Sequence, residues 1–216
     1  MDATVAKLLE SPRLVLYARQ IEDVLAREQA ARERFYSEMT ESEKVEFISG
    51  EVIVHSPVKK RHNDCVKRLL KLLGTYATEK GLGFVGFEKI LTQLTRNDYE
   101  PDLCFFSAEK SASFTAVQMI FPAPDLVVEV LSESTADRDR GIKFSDYAAH
   151  GVSEYWITDP EKEVLEQYRR VDDSYVLELK SGTGKVLSKA VQGFELPTRA
   201  LFDDAENLSA LRAILS

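Results

Sequence analysis

Several things are scarce in this sequence. It has two cysteines in 216 residues, one tryptophan and three histidines, and no apolar run long enough to cross a bilayer. Cys65 and Cys104 stand at no metal-ligand spacing, one in a helix-like and one in a strand-like stretch, so they read as buried free thiols. No basic start followed by an apolar segment and small residues marks a signal peptide. The expectation is a soluble cytoplasmic protein without a membrane partner. There is no internal repeat and no low-complexity linker, so the chain reads as one domain with small additions. Positive charge is short as well. Lys and Arg number 28 against 36 Asp and Glu, a net charge of -8, which argues against non-specific coating of nucleic acid.

The charge is unevenly spread, however. Residues 58–71 carry Lys59, Lys60, Arg61, Lys67, Arg68 and Lys71 against Asp64 alone. Such a patch can steer a polyanion although the whole molecule is acidic, or it can be a solvated helix face. Hydrophobic residues make up 44% of the chain, ample for one core.

Periodicity outlines the elements. Residues 1–17 show no clear period. Ile21, Val24, Leu25 and Ala31 share one face of a helix over Arg19–Phe35, and residues 40–43 suit a turn or a helical start. Residues 45–48 and 51–54 flank Ser49-Gly50 as a hairpin. Val66, Leu69, Leu70, Leu73 and Ala77 predict a helix over 60–80, stopped at Gly81. Strands follow over 84–87, 90–94 and from Asp102. Residues 107–122 read as irregular or weakly helical. Leu126–Leu131 is almost continuously apolar, as suits a strand covered on both faces. A helix capped by Ser134 or Thr135 runs to His150. Strands over 154–158, 164–169 and 175–179 form a meander, and 193–215 is a loop plus a short helix.

The chemistry concentrates between Pro101 and Lys143. In a strand from Asp125, residues 125, 127, 129 and 131 share one face. Glu129 is therefore mid-strand, where an unpaired carboxylate is costly and needs a partner or a metal. Asp102 opens a similar strand. If the two strands are neighbours, the carboxylates converge on one hard cation, Mg²⁺ or Mn²⁺, which prefers oxygen ligands. Such an ion activates water for attack on a phosphodiester. Two residues after Glu129 stands Leu131 rather than a lysine, so Lys143 on the next helix is the candidate for stabilising developing charge. Glu51 is a further carboxylate, His62 can touch a phosphate or metal-bound water, and Arg138 and Arg140 can contact phosphates. A buried ion pair between Glu129 and Lys143 or Arg140, without chemistry, fits the same pattern.

Residues 124–135 (PDLVVEVLSEST), 137–143 (DRDRGIK) and 147–160 (YAAHGVSEYWITDP) resemble the Uma2 family of restriction endonucleases. The pieces 46–51 (EFISGE), Ser56-Pro57, His62-Asn63 and Pro101-Asp102 fit too. The resemblance covers about residues 40–205 and implies the PD-(D/E)xK nuclease superfamily. It implies an α/β fold with a mixed central sheet flanked by helices, as in restriction endonucleases. Asp102 and Glu129 would be the metal ligands, Lys143 the displaced lysine and Glu51 the early glutamate. Residues 1–39 would be an added N-terminal helical extension, 40–205 the nuclease domain and 206–216 a C-terminal short helix. The expected activity is Mg²⁺- or Mn²⁺-dependent DNA cleavage by a homodimer, with Lys59, Lys60, Arg61, His62, Arg138 and Arg140 facing nucleic acid. A nuclease-fold binding protein that no longer cuts is the alternative, and hydrolysis of a small phosphodiester a third.

Overall fold

In this computed structural model residues 3–40 and 42–216 are described. In chain order the elements are α1 (Ala3–Leu9), α2 (Leu14–Glu38), β1 (Val45–Ile48), β2 (Glu51–Val54), α3 (Lys60–Lys80), β3 (Gly83–Phe87) and β4 (Leu91–Gln93). Then come β5 (Asp98–Tyr99), β6 (Leu103–Ser107), α4 (Ala108–Ser111), β7 (Ile120–Phe121), β8 (Leu126–Val130), α5 (Ala136–Arg140) and α6 (Ile142–Ala149). The chain closes with β9 (Glu154–Asp159), β10 (Val164–Val171), β11 (Ser174–Ser181), β12 (Lys185–Leu187), β13 (Glu195–Pro197), a 3-10 turn (Thr198–Leu201) and α7 (Asp204–Leu215).

A six-stranded sheet of order β11-β10-β9-β8-β6-β3 forms the centre. Only β8 and β9 in it run parallel, so the sheet is mixed, as expected. All five β8 residues are buried, because both faces are covered. Leu126, Val128 and Val130 pack with Leu69, Leu72 and Leu73 of α3 and with Phe194, Leu196 and Leu201 of the C-terminal segment. Val127, on the other face, meets Tyr99, Tyr147 and Tyr155. A separate five-stranded sheet has the order β2-β1-β5-β4-β7, and β12 and β13 pair alone. No helix among the described residues is long and apolar enough to cross a membrane.

The hairpin and the long helix stand where the sequence puts them. Ser49 and Gly50 take φ of 51° and 89° in the two-residue turn, as a primed turn requires. Gly81 ends α3 in the left-handed conformation. Cys65 and Cys104 are buried free thiols.

Other expectations change. The single helix from Thr135 to His150 is two helices broken at Gly141, whose backbone (φ -112°, ψ -100°) is not helical. A Cβ there would stand 2.7 Å from the Asp137 carbonyl oxygen, so the glycine permits the chain to jog. Thr135 precedes the first half without a side-chain cap bond. The region from 107 to 122 contains both α4 and β7. The segment without clear period holds α1 and the start of α2, and α2 extends past both expected ends. Met1, Asp2 and Glu41, the last within the expected turn at 40–43, lie outside the described residues. The expected apolar face of α2 exists but is open to solvent: Ile21, Val24 and Leu25 are 49%, 38% and 48% exposed.

Candidate active site

Strand register brings the first two carboxylates together. β6 and β8 are antiparallel neighbours with Leu103 opposite Val128, so Asp102, one residue before β6, comes opposite Glu129. The Val130 amide donates to Asp102 Oδ2 at 2.9 Å, and the Asp102 amide makes a longer approach to Glu129 Oε2 at 3.4 Å. Asp102 thus stands just before one central strand and Glu129 near the end of its paired neighbour.

The jog at Gly141 then aims a lysine at them. Lys143, in the first turn of α6, is buried, with Nζ 2.8 Å from Glu46 Oε1, 3.1 Å from Glu129 Oε1 and 3.4 Å from Asp139 Oδ1. Glu46 comes from the middle of β1, and Asp139 from the last turn of α5. A second amine, Lys44 Nζ, lies 2.9 Å from Asp102 Oδ1. His62, in the first turn of α3, sets its Nε2 3.1 Å from Asp102 Oδ2. His55 Nε2 lies 3.0 Å from Glu46 Oε2.

Burial and charge pull the titrations apart. Burial pushes the Glu129 carboxyl well above the ordinary carboxylate range; Lys143 opposes this, and Asp139 and Asp102 add to it. Burial also raises Asp139. For Asp102 burial is outweighed by Lys44 and His62, which hold its carboxyl below the usual range. Burial acts on Glu46 in the same sense and is outweighed by Lys143 and His55, which bring it to about 2. Burial works against the Lys143 charge, but Glu129, Glu46 and Asp139 together raise its pKa well above that of a free lysine. Asp102 and Glu129, neighbouring carboxyls, are thus shifted in opposite directions, a pattern found at functional sites and also in structural ion-pair networks.

These groups lie beside a cavity of about 810 Å³. Asp102, Glu129, Asp139, Lys143, Lys44 and His62 are among its lining residues, and Lys59, Arg61 and Arg140 contribute to its wall. The wall cations have local partners: Lys59 with Glu133, Arg61 with Glu161 and Arg140 with Glu166.

Two oxygen donors from adjacent strands fit a hard divalent cation, which often takes one or two carboxylates and fills the rest of its shell with water and substrate. Asp139 Oδ1 and Glu46 Oε2 are buried and face Lys143 and His55 respectively. Among the described residues no group of three or more His, Cys, Asp or Glu is arranged as a metal site.

Not every residue singled out from the sequence arrives here. Glu51 opens β2 and is exposed, and it does not line the cavity. It shares a face of the hairpin with Glu46 but stands at the turn end, opposite Ile48, while Ile53 is the residue opposite Glu46. Lys60 bonds Asp64 one turn on, and Lys60 and Arg138 are likewise absent from the cavity lining. Glu46 is the acidic group that the hairpin contributes. It had the same sequence signal as Glu129, a carboxylate inside an apolar run (Val45, Phe47, Ile48). Lys44, His55 and Asp139 carry no comparable signal, because only tertiary packing brings them in.

Comparisons with known proteins bear on the family and the fold. The model of the Uma2 family, described as "Putative restriction endonuclease", matches residues 31–199. The uncharacterised protein sll1609 of Synechocystis sp. is 29% identical over 145 residues, 66% of this chain and 81% of that one. Among solved structures, a "putative nuclease belonging to DUF820" from Anabaena variabilis superposes with a TM-score of 0.66 at 18% identity, covering 82% of this chain and 96% of that one. At that identity the likeness is one of fold.

Proposed function

The chain belongs to the Uma2 family, and on that premise we propose that it is a metal-dependent DNA endonuclease, hydrolysing phosphodiesters with a metal-activated water. One observation carries this reading. Glu46, Asp102, Glu129 and Asp139 are four buried carboxylates gathered round two lysines, Lys44 and Lys143. Uncompensated buried charge is costly, and a divalent cation at the mouth of this cluster would balance it.

Asp102 and Glu129 would hold Mg²⁺ or Mn²⁺. Such an ion, when bound, polarises the phosphoryl group and lowers the pKa of a water. Asp102 suits ligation, since Lys44 and His62 keep it ionised. Glu129 would gain its charge as the cation neutralises the burial penalty. Lys143, held by Glu46 and Asp139, fixes the orientation of Glu129 and offers positive charge toward the cavity. Lys59, Arg61 and Arg140 in the wall would receive flanking phosphates, each exchanging a surface carboxylate for a phosphate oxygen. Two copies would present two such sites to the strands of a duplex.

The alternative is a nuclease-fold protein that binds without cutting. Its specific support is the cage around Lys143, whose side chain is 2% exposed, with Leu131 at the place of a Glu-x-Lys lysine. The two readings part in an assay of supercoiled plasmid with Mg²⁺, Mn²⁺ or chelator. Cleavage that needs the ion and is lost in Asp102→Ala supports the first. Plasmid retained on the protein but never nicked, with either ion, would leave the second.

A further inference from the structure

Two amines reach the carboxylates, and they are held differently. Lys143 Nζ is shared by Glu46, Glu129 and Asp139, and its side chain is 2% exposed. Among the described residues Lys44 Nζ pairs with one carboxylate, at Asp102 Oδ1 and 2.9 Å, and its side chain is 23% exposed. The backbone of Lys44 is fixed from both sides. The His55 amide donates to its carbonyl at 3.0 Å, and the next amide, that of Val45, donates to Glu100 Oε2 at 2.8 Å. The amine is thus carried on a flexible stem from a fixed base, and Lys44 and Asp102 both line the cavity.

The oxygen that Lys44 holds is the one a cation needs. Asp102 Oδ2 accepts the Val130 amide at 2.9 Å and faces His62 Nε2 at 3.1 Å. A carboxylate oxygen offers about two acceptor positions, so Oδ2 is filled, in part by the backbone of β8. Oδ1 meets Lys44 instead.

We propose that Lys44 is the exchangeable counter-ion of this site: it competes with the divalent cation for Asp102 Oδ1, and the amine so released turns to a non-bridging oxygen of the scissile phosphate. This rests on the endonuclease reading and deepens it. Two positive charges at one oxygen repel, so Lys44 pairs more weakly with an Asp102 that holds a cation. No second carboxylate among the described residues then keeps it, whereas the departure of Lys143 would leave Glu46 and Asp139 uncompensated. An ammonium released beside the phosphoryl group is a charged donor placed where negative charge grows. Lys143 remains a positioning residue, and Lys44 is the amine that touches substrate.

Mn²⁺ affinity, read by electron paramagnetic resonance of the free ion, and plasmid nicking at saturating Mn²⁺ test this together. Lys44→Met keeps the stem and removes the charge. It should bind Mn²⁺ about tenfold or more tightly than wild type, because a charged hydrogen bond no longer competes. At saturating Mn²⁺ it should nick about 100-fold or more slowly. A lysine with only a structural role would give weaker binding and slower cleavage together. Lys44→Arg keeps the charge and should hold Mn²⁺ with an affinity near that of wild type. Lys44→Gln gives the neutral comparison if the Met variant does not fold. Neutral variants that bind Mn²⁺ no more tightly than wild type would overturn the proposal, as would tighter binding with undiminished nicking. A wild-type chain that takes up no Mn²⁺ would overturn the endonuclease reading as well. The affinities need no cleavage, so the two failures are told apart.

Discussion

Lys143 Nζ stands 2.8 Å from Glu46 Oε1, joining the helix after the jog at Gly141 to the middle of the first hairpin strand. The same amine meets Glu129 and Asp139, so one buried cation holds three carboxylates from three elements. Lys143→Met removes it and leaves those anions facing one another. Breaking such a buried pairing costs about 3–5 kcal/mol, and denaturant titration at neutral pH should show a loss of that size. Without the lysine the carboxyls gain protons more readily in the folded state than in the unfolded one. The deficit must therefore shrink as pH falls and widen as it rises. A loss independent of pH would mean that the cage is packing rather than charge.

Glu46 and Glu51 separate strand geometry from sequence pattern. Glu46→Ala removes a group that positions Lys143, and loss of a supporting residue of this kind costs about 10–100-fold in metal affinity or activity. Glu51→Ala touches an exposed side chain outside the cavity and should leave cleavage within about twofold of wild type. Plasmid nicking rates of the two variants, side by side, give the answer. The reverse order would put Glu51 back in the site.

Much of this arrangement is readable in the chain itself. The apolar run of β8 interrupted by Glu129 announces a buried strand with a carboxylate to neutralise, and Asp102 and Lys143 follow from it. The helix over 60–80 is legible because its apolar spacing is regular and Gly81 ends it. What was not legible depends on register or on distant packing. Glu46 and Glu51 look alike in the sequence, but the hairpin buries all of β1 and exposes most of β2. Asp139 enters only because Gly141 breaks the helix, and Lys44 only because the chain before β1 passes Asp102. The open face of α2 has the periodicity of a buried one although Ile21, Val24 and Leu25 are exposed, since spacing alone does not report what covers a face.

Glu100 offers a test of the burial around the site from a neighbouring position. Its carboxyl, which accepts the Val45 amide at 2.8 Å, is pushed up to about 7 from 4.5, chiefly by burial. The folded state therefore holds this proton more tightly than the unfolded chain. Its contribution to stability is complete below about 4.5 and is lost as pH rises through about 7. Glu100→Gln keeps an amide-accepting oxygen and cannot ionise. Its thermal midpoint relative to wild type should rise from pH 5 to pH 8. Parallel curves across that range would show that the carboxyl titrates normally.

The central claim is that Asp102 and Glu129 jointly grip a divalent cation. Mn²⁺ titration followed by electron paramagnetic resonance of the free ion reads this without any need for cleavage. Wild type should take up one ion per chain, and both Asp102→Asn and Glu129→Gln should abolish that uptake while remaining folded. A wild-type chain that leaves Mn²⁺ free, or variants that bind it as wild type does, would contradict the account.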